Sequence, residues 1–169
     1  RFIKYIPNLK VLAQYDDQKL IKLWEGLGYY SRVKNLKKTA QIIIKDFNKS
    51  LPDNLLDLKS LPGIGDYTAS AIMAIAFNKP IIPLDGNIER VLKRYLYLKN
   101  ENQIHKDNLI KQKKIFGTSL RSSDYAQALM ELGALICKPI SPYCERCPIS
   151  GKCKSFKKKD FVLTKFKKN

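Results

Sequence analysis

The chain has 169 residues, with 32 Lys and Arg against 15 Asp and Glu, so its formal net charge is +17. A content of 44% hydrophobic and 10% aromatic residues supports a packed core and excludes a basic disordered tail. No apolar run reaches the ~18 residues of a transmembrane helix, and the N-terminus lacks the apolar stretch and cleavage site of a signal peptide, so a soluble intracellular protein of one typical domain or two small ones is expected.

Along the chain the apolar spacing is helical. Leu20, Leu23, Trp24 and Leu27 recur at i, i+3, i+4, i+7, with Asp16 placed as an N-cap and Gly26 and Gly28 near the stop. Ser31 is the expected cap of a second helix that turns Val33, Leu36, Ala40, Ile43 and Ile44 inward and Lys34, Lys37 and Lys38 outward. Asp53 is the expected start of a short third helix with Leu55, Leu56 and Leu58. Leu61-Pro62-Gly63-Ile64-Gly65 leads into a helix rich in small residues, Ala69, Ser70, Ala71, Ala74 and Ala76, which permit close packing. Pro80 and Pro83 force an extended stretch, and Asp85-Gly86-Asn87 opens a helix through Leu98. Two more are expected, at about 104–116 and 123–137, the second burying Ala126, Leu129, Met130, Gly133 and Ile136. Strand alternation does not persist beyond the residues around Ile81, which predicts an all-α chain with short connections.

The charge is spread over body and tail. Residues 152–169 hold eight Lys and one Asp, and the remaining surplus lies on the body. A basic folded body suits a phosphate-tracking surface, and a solubilising Lys-rich surface is the plainer alternative. The last dozen residues read as a frayed tail or linker start. Phe156, Phe161 and Phe166 leave an amphipathic partner-binding helix open.

Four cysteines, Cys137, Cys144, Cys147 and Cys153, follow the spacing C-x6-C-x2-C-x5-C. Two disulfides do not suit an intracellular chain large enough to fold without them. Four thiolates can hold a zinc ion or an iron–sulfur cluster. Usual zinc spacings pair two short knuckles; two long arms around one C-x2-C favour a 4Fe-4S cubane. Lys138, Arg146, Lys152 and Lys154 decorate the intervening loops, either as DNA-facing cations or as ordinary solvated ones, and Pro139, Pro142 and Pro148 stiffen the turns.

In Leu61-Pro62-Gly63-Ile64-Gly65 the two glycines allow close backbone approach, and the helix that follows offers N–H groups to a phosphate. A plain turn is the alternative. Asp85 stands at a helix start, where a capping role is the ordinary one. A functional role requires an ionised carboxylate beside a cleft where positive charge develops. Tyr29 and Tyr30 at a helix-to-helix turn can wedge between bases when exposed, or belong to the core when buried. Glu25, Glu89 and His105 show no partner pattern and read as solvated residues.

These motifs together resemble the helix-hairpin-helix, or endonuclease III, superfamily of DNA glycosylases, specifically the MutY-like adenine DNA glycosylases, over about residues 1–156. The matching stretches are Leu-Trp-Glu-Gly-Leu-Gly-Tyr-Tyr at 23–30, Leu-Pro-Gly-Ile-Gly at 61–65, Leu-Asp-Gly-Asn-Ile at 84–88, Met-Glu-Leu-Gly-Ala at 130–134, and the cysteine spacing. The resemblance implies a partial six-helix barrel with the hairpin over residues 1–79, a helical cluster domain over 80–156, and a basic tail or linker start over 157–169. It implies a 4Fe-4S cluster on the four cysteines. DNA contacts are implied for Tyr29, Tyr30, Leu61, Gly63, Ile64 and Gly65.

The implied activity is monofunctional hydrolysis of the N-glycosidic bond of adenine mispaired with 8-oxoguanine or guanine in double-stranded DNA. Asp85 would stabilise the oxocarbenium-like sugar, Tyr67 would orient groups around the carboxylate, and Asn87 would position water or sugar. The lyase branch has a catalytic Lys where this chain has Tyr67, and Asp-Thr-His where it has Asp85-Gly86-Asn87. An endonuclease III-like glycosylase with lyase activity and a non-catalytic lesion-binding module are the competing readings. The family's general-acid Glu lies on a helix that precedes the part matching Arg1, and its 8-oxoguanine-reading domain follows the matched part. The expectation is therefore a sequence truncated at both ends and weakly active alone. A monomer without membrane association, in a bacterial nucleoid or in a nucleus or organelle, is implied.

Overall fold

The structure is a computed structural model that describes residues 1–98 and 121–161. The helix expected at 104–116, His105 and Phe166 lie outside the described residues. Among the described residues the regular structure is helical throughout, in agreement with the all-α expectation, and no helix is long and apolar enough to cross a membrane. The chain divides into two compact units, Arg1–Ala69 and Ser70–Asn169.

The first unit holds α1 (Phe2–Tyr5), α2 (Leu9–Gln14), α3 (Asp17–Leu23), α4 (Ser31–Asp46) and α5 (Leu55–Ser60), and α6 (Asp66–Ile75) begins in it. Asp16 caps α3 as expected, its Oδ1 accepting the Lys19 N–H at 2.9 Å. The helix stops at Leu23 rather than running to Leu27. Its last turn tightens, with the Glu25 N–H on the Lys22 carbonyl at 3.3 Å, and Leu27 is left exposed. Ser31 is already inside α4, because Tyr30 takes helical dihedrals and stands at the N-cap position without a side-chain cap. Asn54, not Asp53, caps α5: its backbone is extended, and its Oδ1 reaches the Asp57 N–H at 2.9 Å, the geometry an N-cap requires.

Ile6, Leu12, Leu20, Val33 and Ala40 form the core of this unit, with Phe2 and Trp24 edge-to-face against it at 5.8 Å. Val33, Ala40 and Ile43 of α4 are buried as expected, whereas Leu36 is 38% exposed. In α5 only Leu58 is buried; Leu55 and Leu56 face outward.

The second unit is organised on α7 (Gly86–Leu96), against which α8 (Ser122–Glu131) and α9 (Lys154–Lys157) pack. Ile88, Val91, Leu92 and Leu129 make its core, and Cys137 and Ile149 pack on it, so the cysteine segment is docked on α7 and α8 rather than loose. α8 continues as a π-helical stretch over Leu132–Ile136, closed by the Cys137 N–H on the Leu132 carbonyl at 2.7 Å. Such bulges accompany functional sites. Residues 157–161 are tied down: the Tyr97 hydroxyl donates to Asp160 Oδ2 at 2.5 Å, and the Lys158 ammonium sits 5.1 Å from the Tyr97 ring centre.

Gly133 lies in the π-helical stretch directly against the start of α7. A Cβ there would stand 2.8 Å from Asn87 Cβ and 3.1 Å from the Asn87 backbone carbon. Neither neighbour can retreat without moving the helix. Gly133→Ala is therefore expected to destabilise the chain by about 1–3 kcal/mol, the range for overpacking, as read by urea unfolding; an unchanged midpoint would show that the two helices can separate freely.

Candidate functional site

In the first unit, two exposed features flank α4. The turn from Trp24 to Tyr30 presents Tyr29, which is 82% exposed with a left-handed φ of 47°. Tyr30 is less exposed, and Leu27 lies open beside them. The second feature is the hairpin between α5 and α6. Leu61 is buried, so its side chain anchors the hairpin in the core instead of facing outward. Gly63 carries a left-handed φ of 78°, and a Cβ on it would come within 3.0 Å of Asn35. The Thr39 hydroxyl donates to the Pro62 carbonyl at 3.0 Å. Ile64 is half-buried and Gly65 exposed, with open space beyond its Cα. Lys59 and Asp66 pair across the hairpin at 2.7 Å, and Tyr67 is exposed in the first turn of α6.

In the second unit, Asp85 caps α7. Its Oδ1 accepts the Ile88 N–H at 2.7 Å, and its Oδ2 accepts from Asn87 Nδ2 at 3.4 Å. Asn87 Oδ1 in turn accepts from Arg90 Nη2 at 2.8 Å. Arg90 is 4% exposed. It donates further to the Gly133 carbonyl at 2.6 Å and to the Cys137 carbonyl at 2.8 Å. The structure thus joins Asp85 and Asn87 and runs a continuous hydrogen-bonded path from them to the first cysteine. Burial pulls the Arg90 guanidinium below its ordinary pKa, opposed by Cys137 and Asp85 and reinforced by Arg94; an arginine remains charged under such a pull.

One turn along α7, Arg94 is 3% exposed. It donates to the Lys138 and Pro139 carbonyls at 2.6 and 2.8 Å, and its Nη1 lies 3.4 Å from Cys137 Sγ. Cys137, Cys144, Cys147 and Cys153 all line one small cavity, together with Arg94. The four are free thiols. Among the described residues no three His, Cys, Asp or Glu side chains form a site for a metal ion. Burial pushes the Cys144 thiol up, aided by the neighbouring sulfurs; burial also raises Cys147, partly offset by the Ile149 and Ser150 backbone amides. Arg94 Nε is buried with no hydrogen-bond partner among the described residues.

Arg90 and Arg94 escaped the sequence reading. Their signal was present: two arginines at i, i+4, with Ile88, Val91 and Leu92 around them, on a helix whose apolar face must be buried. Long cations at such positions are either snorkelling or bonded to buried carbonyls, and here they are bonded.

The helices Leu55–Ser60 and Asp66–Ile75, joined through the left-handed Gly63, make a helix-hairpin-helix. The HhH-GPD superfamily of base excision DNA repair proteins matches residues 1–114, and the chain belongs to that family. The chain is 38% identical over its whole length to an adenine DNA glycosylase of Buchnera aphidicola subsp. Baizongia pistaciae (strain Bp), of which it covers 48%. It spans about half the length of that relative and of a second curated adenine DNA glycosylase that it matches. Among solved structures, a thermostable thymine-DNA glycosylase aligns with a TM-score of 0.78 at 28% identity, covering 93% of this chain and 73% of that one. A non-covalent endonuclease III–DNA complex aligns at 0.76 and 25%, covering 94% and 74%.

Replacing Arg90 by Leu would leave the Gly133 and Cys137 carbonyls and the Asn87 amide oxygen without their donor. Each buried acceptor stranded in this way costs about 1–3 kcal/mol, so a loss of several kcal/mol of unfolding free energy is expected in urea titrations, larger than for Lys93→Leu one turn-edge away, whose partner Glu89 is partly exposed.

Proposed function

We propose that this chain forms part of an adenine DNA glycosylase of base excision repair, acting on double-stranded DNA in which adenine is mispaired with 8-oxoguanine or guanine. The observation that carries the reading is the fixed carboxylate of Asp85, oriented by the Ile88 N–H and Asn87. Supporting it are the family membership and relatives that bear that activity in their names. Residues 1–79 would belong to the barrel and hairpin, and 80–156 to the cluster domain.

Adenine would be unstacked and turned out of the duplex, at a cost of a few kcal/mol offset by backbone contacts and wedging. Protonation makes the base a neutral leaving group; the bond from C1′ to N9 breaks with its electron pair going to the base, and the sugar takes on oxocarbenium character. Asp85 would stabilise that cation, as a carboxylate does beneath the sugar in glycoside hydrolysis. Water then adds to C1′ and gives up a proton. Asn87, held by Arg90, would keep the second carboxylate oxygen aimed. No Glu of this chain is assigned the protonating role, which the family resemblance gives to a Glu outside these residues. Tyr67 would orient groups for the reaction, and at the position of the lyase lysine a phenol supplies no amine for a Schiff base. This favours hydrolysis over the lyase reading.

Cys137, Cys144, Cys147 and Cys153 would hold a 4Fe-4S cluster. All four thiols line the same cavity, and Arg94 Nη1 lies 3.4 Å from Cys137 Sγ, so a cationic group stands beside the thiols that an anionic cluster would use. When bound, such a cluster supplies a covalent cross-link of the segment from Cys137 to Cys153 and negative charge facing Arg94. Because Cys144 and Cys147 hold their protons above the ordinary thiol range, loading releases protons.

Asp85→Asn separates charge from capping, since Asn is as good an N-cap as Asp. In the complete gene product, adenine release from an A:8-oxoguanine duplex is expected to fall by at least about 100-fold, on the scale of losing a transition-state charge partner, with the unfolding midpoint little changed. Wild-type turnover would sink the mechanism. Borohydride treatment during turnover should capture no covalent DNA adduct; robust capture would restore the lyase reading. Purified protein should carry iron and sulfide with broad visible absorption, and Cys147→Ser should bleach it. A colourless, zinc-loaded preparation would remove the cluster.

A further inference from the structure

Tyr29 is one of seven non-glycine described residues with a left-handed φ. A φ of 47° on a bulky residue is uncommon, and such conformations persist only where the surroundings over-determine them. Here three successive carbonyls of the turn are each taken. Arg32 Nη2 donates to the Leu27 carbonyl at 3.0 Å, Trp24 Nε1 to the Gly28 carbonyl at 3.1 Å, and the Arg32 N–H to the Tyr29 carbonyl at 2.9 Å. The Arg32 guanidinium also lies 5.5 Å from the Trp24 ring centre and 5.6 Å from that of Tyr29. One cation therefore bridges a ring packed on the core and a ring that is 82% exposed.

We propose that Arg32 is a positioning residue for a DNA wedge: it holds the Tyr29 ring outward, pre-set for insertion into the base stack. The inference rests on the DNA-glycosylase reading and adds to it a specific cause for the wedge's orientation. A planar guanidinium suits this, because its faces can meet aromatic rings while its edge donates to a carbonyl, a fork geometry that a lysine ammonium lacks. Asn35 and Thr39 extend the same role along α4, backing Gly63 and bonding the Pro62 carbonyl, so the wedge turn and the hairpin are both referenced to one helix. Pre-setting matters because an exposed aromatic that must be ordered on binding surrenders part of its contact energy to that ordering.

The rival role for an exposed arginine is direct contact with a phosphate, and salt dependence separates the two. The complete gene product would be titrated with a duplex carrying a stable abasic analogue opposite 8-oxoguanine, with 2-aminopurine beside the lesion to report insertion. Arg32→Lys and Arg32→Met are both expected to weaken binding by about threefold to tenfold, on the scale of a cation–π contact plus a charged hydrogen bond, and to reduce the 2-aminopurine change, while the slope of log K against log salt stays constant. In a Tyr29→Ala background, Arg32→Lys should add nothing. A slope reduced by about 0.9 in Arg32→Met, with Arg32→Lys near wild type, is the signature of a lost phosphate contact and would overturn the proposal. So would additive losses in the double variant. If Tyr29→Ala itself inserts and binds like the wild type, the wedge reading of Tyr29 fails; if Tyr29→Ala is defective while both Arg32 variants are normal, only the role of Arg32 fails. Far-ultraviolet circular dichroism confirms folding, and Arg32→Lys, which keeps the charge and length, stands if Arg32→Met does not fold.

Discussion

Two guanidinium groups four residues apart on α7 carry the connection between the carboxylate and the thiols. Arg90 and Arg94 are nearly inaccessible to solvent, and burying a charge without partners is prohibitive. Their partners are the carbonyls of Gly133, Cys137, Lys138 and Pro139, the groups left over where α8 unwinds through its π-helical stretch. The end of one helix thus supplies acceptors, and the middle of another supplies donors. Each side is costly alone and satisfied only when the segment leading into the cysteines is docked. The apolar contacts of Ile88, Val91, Leu92 and Leu129 bring the helices together, and the arginines set their register.

That arrangement gives Asp85 two duties. As a cap it satisfies an orphan N–H of α7; as a carboxylate held by Asn87 it is presented in one orientation. The same helix that aims the acid group also forms one wall of the thiol cavity. Loss of order at the cysteines would therefore be felt at the carboxylate through Gly133, Asn87 and Arg90, without any ligand passing between them.

Much of this was legible in the residues. Helical periodicity located α3, α4, α7 and α8, and Asp16 and Asp85 were identifiable as caps from type and position. The cysteine spacing pointed to four thiols acting together, and all four line one cavity. Boundaries were less legible: Asp53 is as suitable a cap by type as Asn54, and Ser31 a better one than Tyr30, yet the backbone puts Asn54 and Tyr30 at the N-cap positions, only Asn54 making a side-chain cap bond. Leu61 was given a DNA contact from its place in the motif, and its side chain lies in the core. The partners of Arg32, Arg90 and Arg94 were not legible, because each bonds carbonyls or rings distant in the sequence or on the far side of a turn. An arginine in a basic chain resembles every other arginine until its burial and partners are known.

The stripe on α4 has a further consequence. Arg32, Asn35 and Thr39 address the wedge turn at one end and the hairpin at the other, and a helix fixes such intervals in units of about 1.5 Å and 100° per residue. Adding or deleting one residue between them would swing one contact set a quarter-turn or more away from the other, even though that stretch is partly open to solvent. The residue count of α4 between the two attachment points is fixed by this rotation. The segment is a measured length, tolerant of substitution and intolerant of insertion, in a part of the surface where loops ordinarily drift.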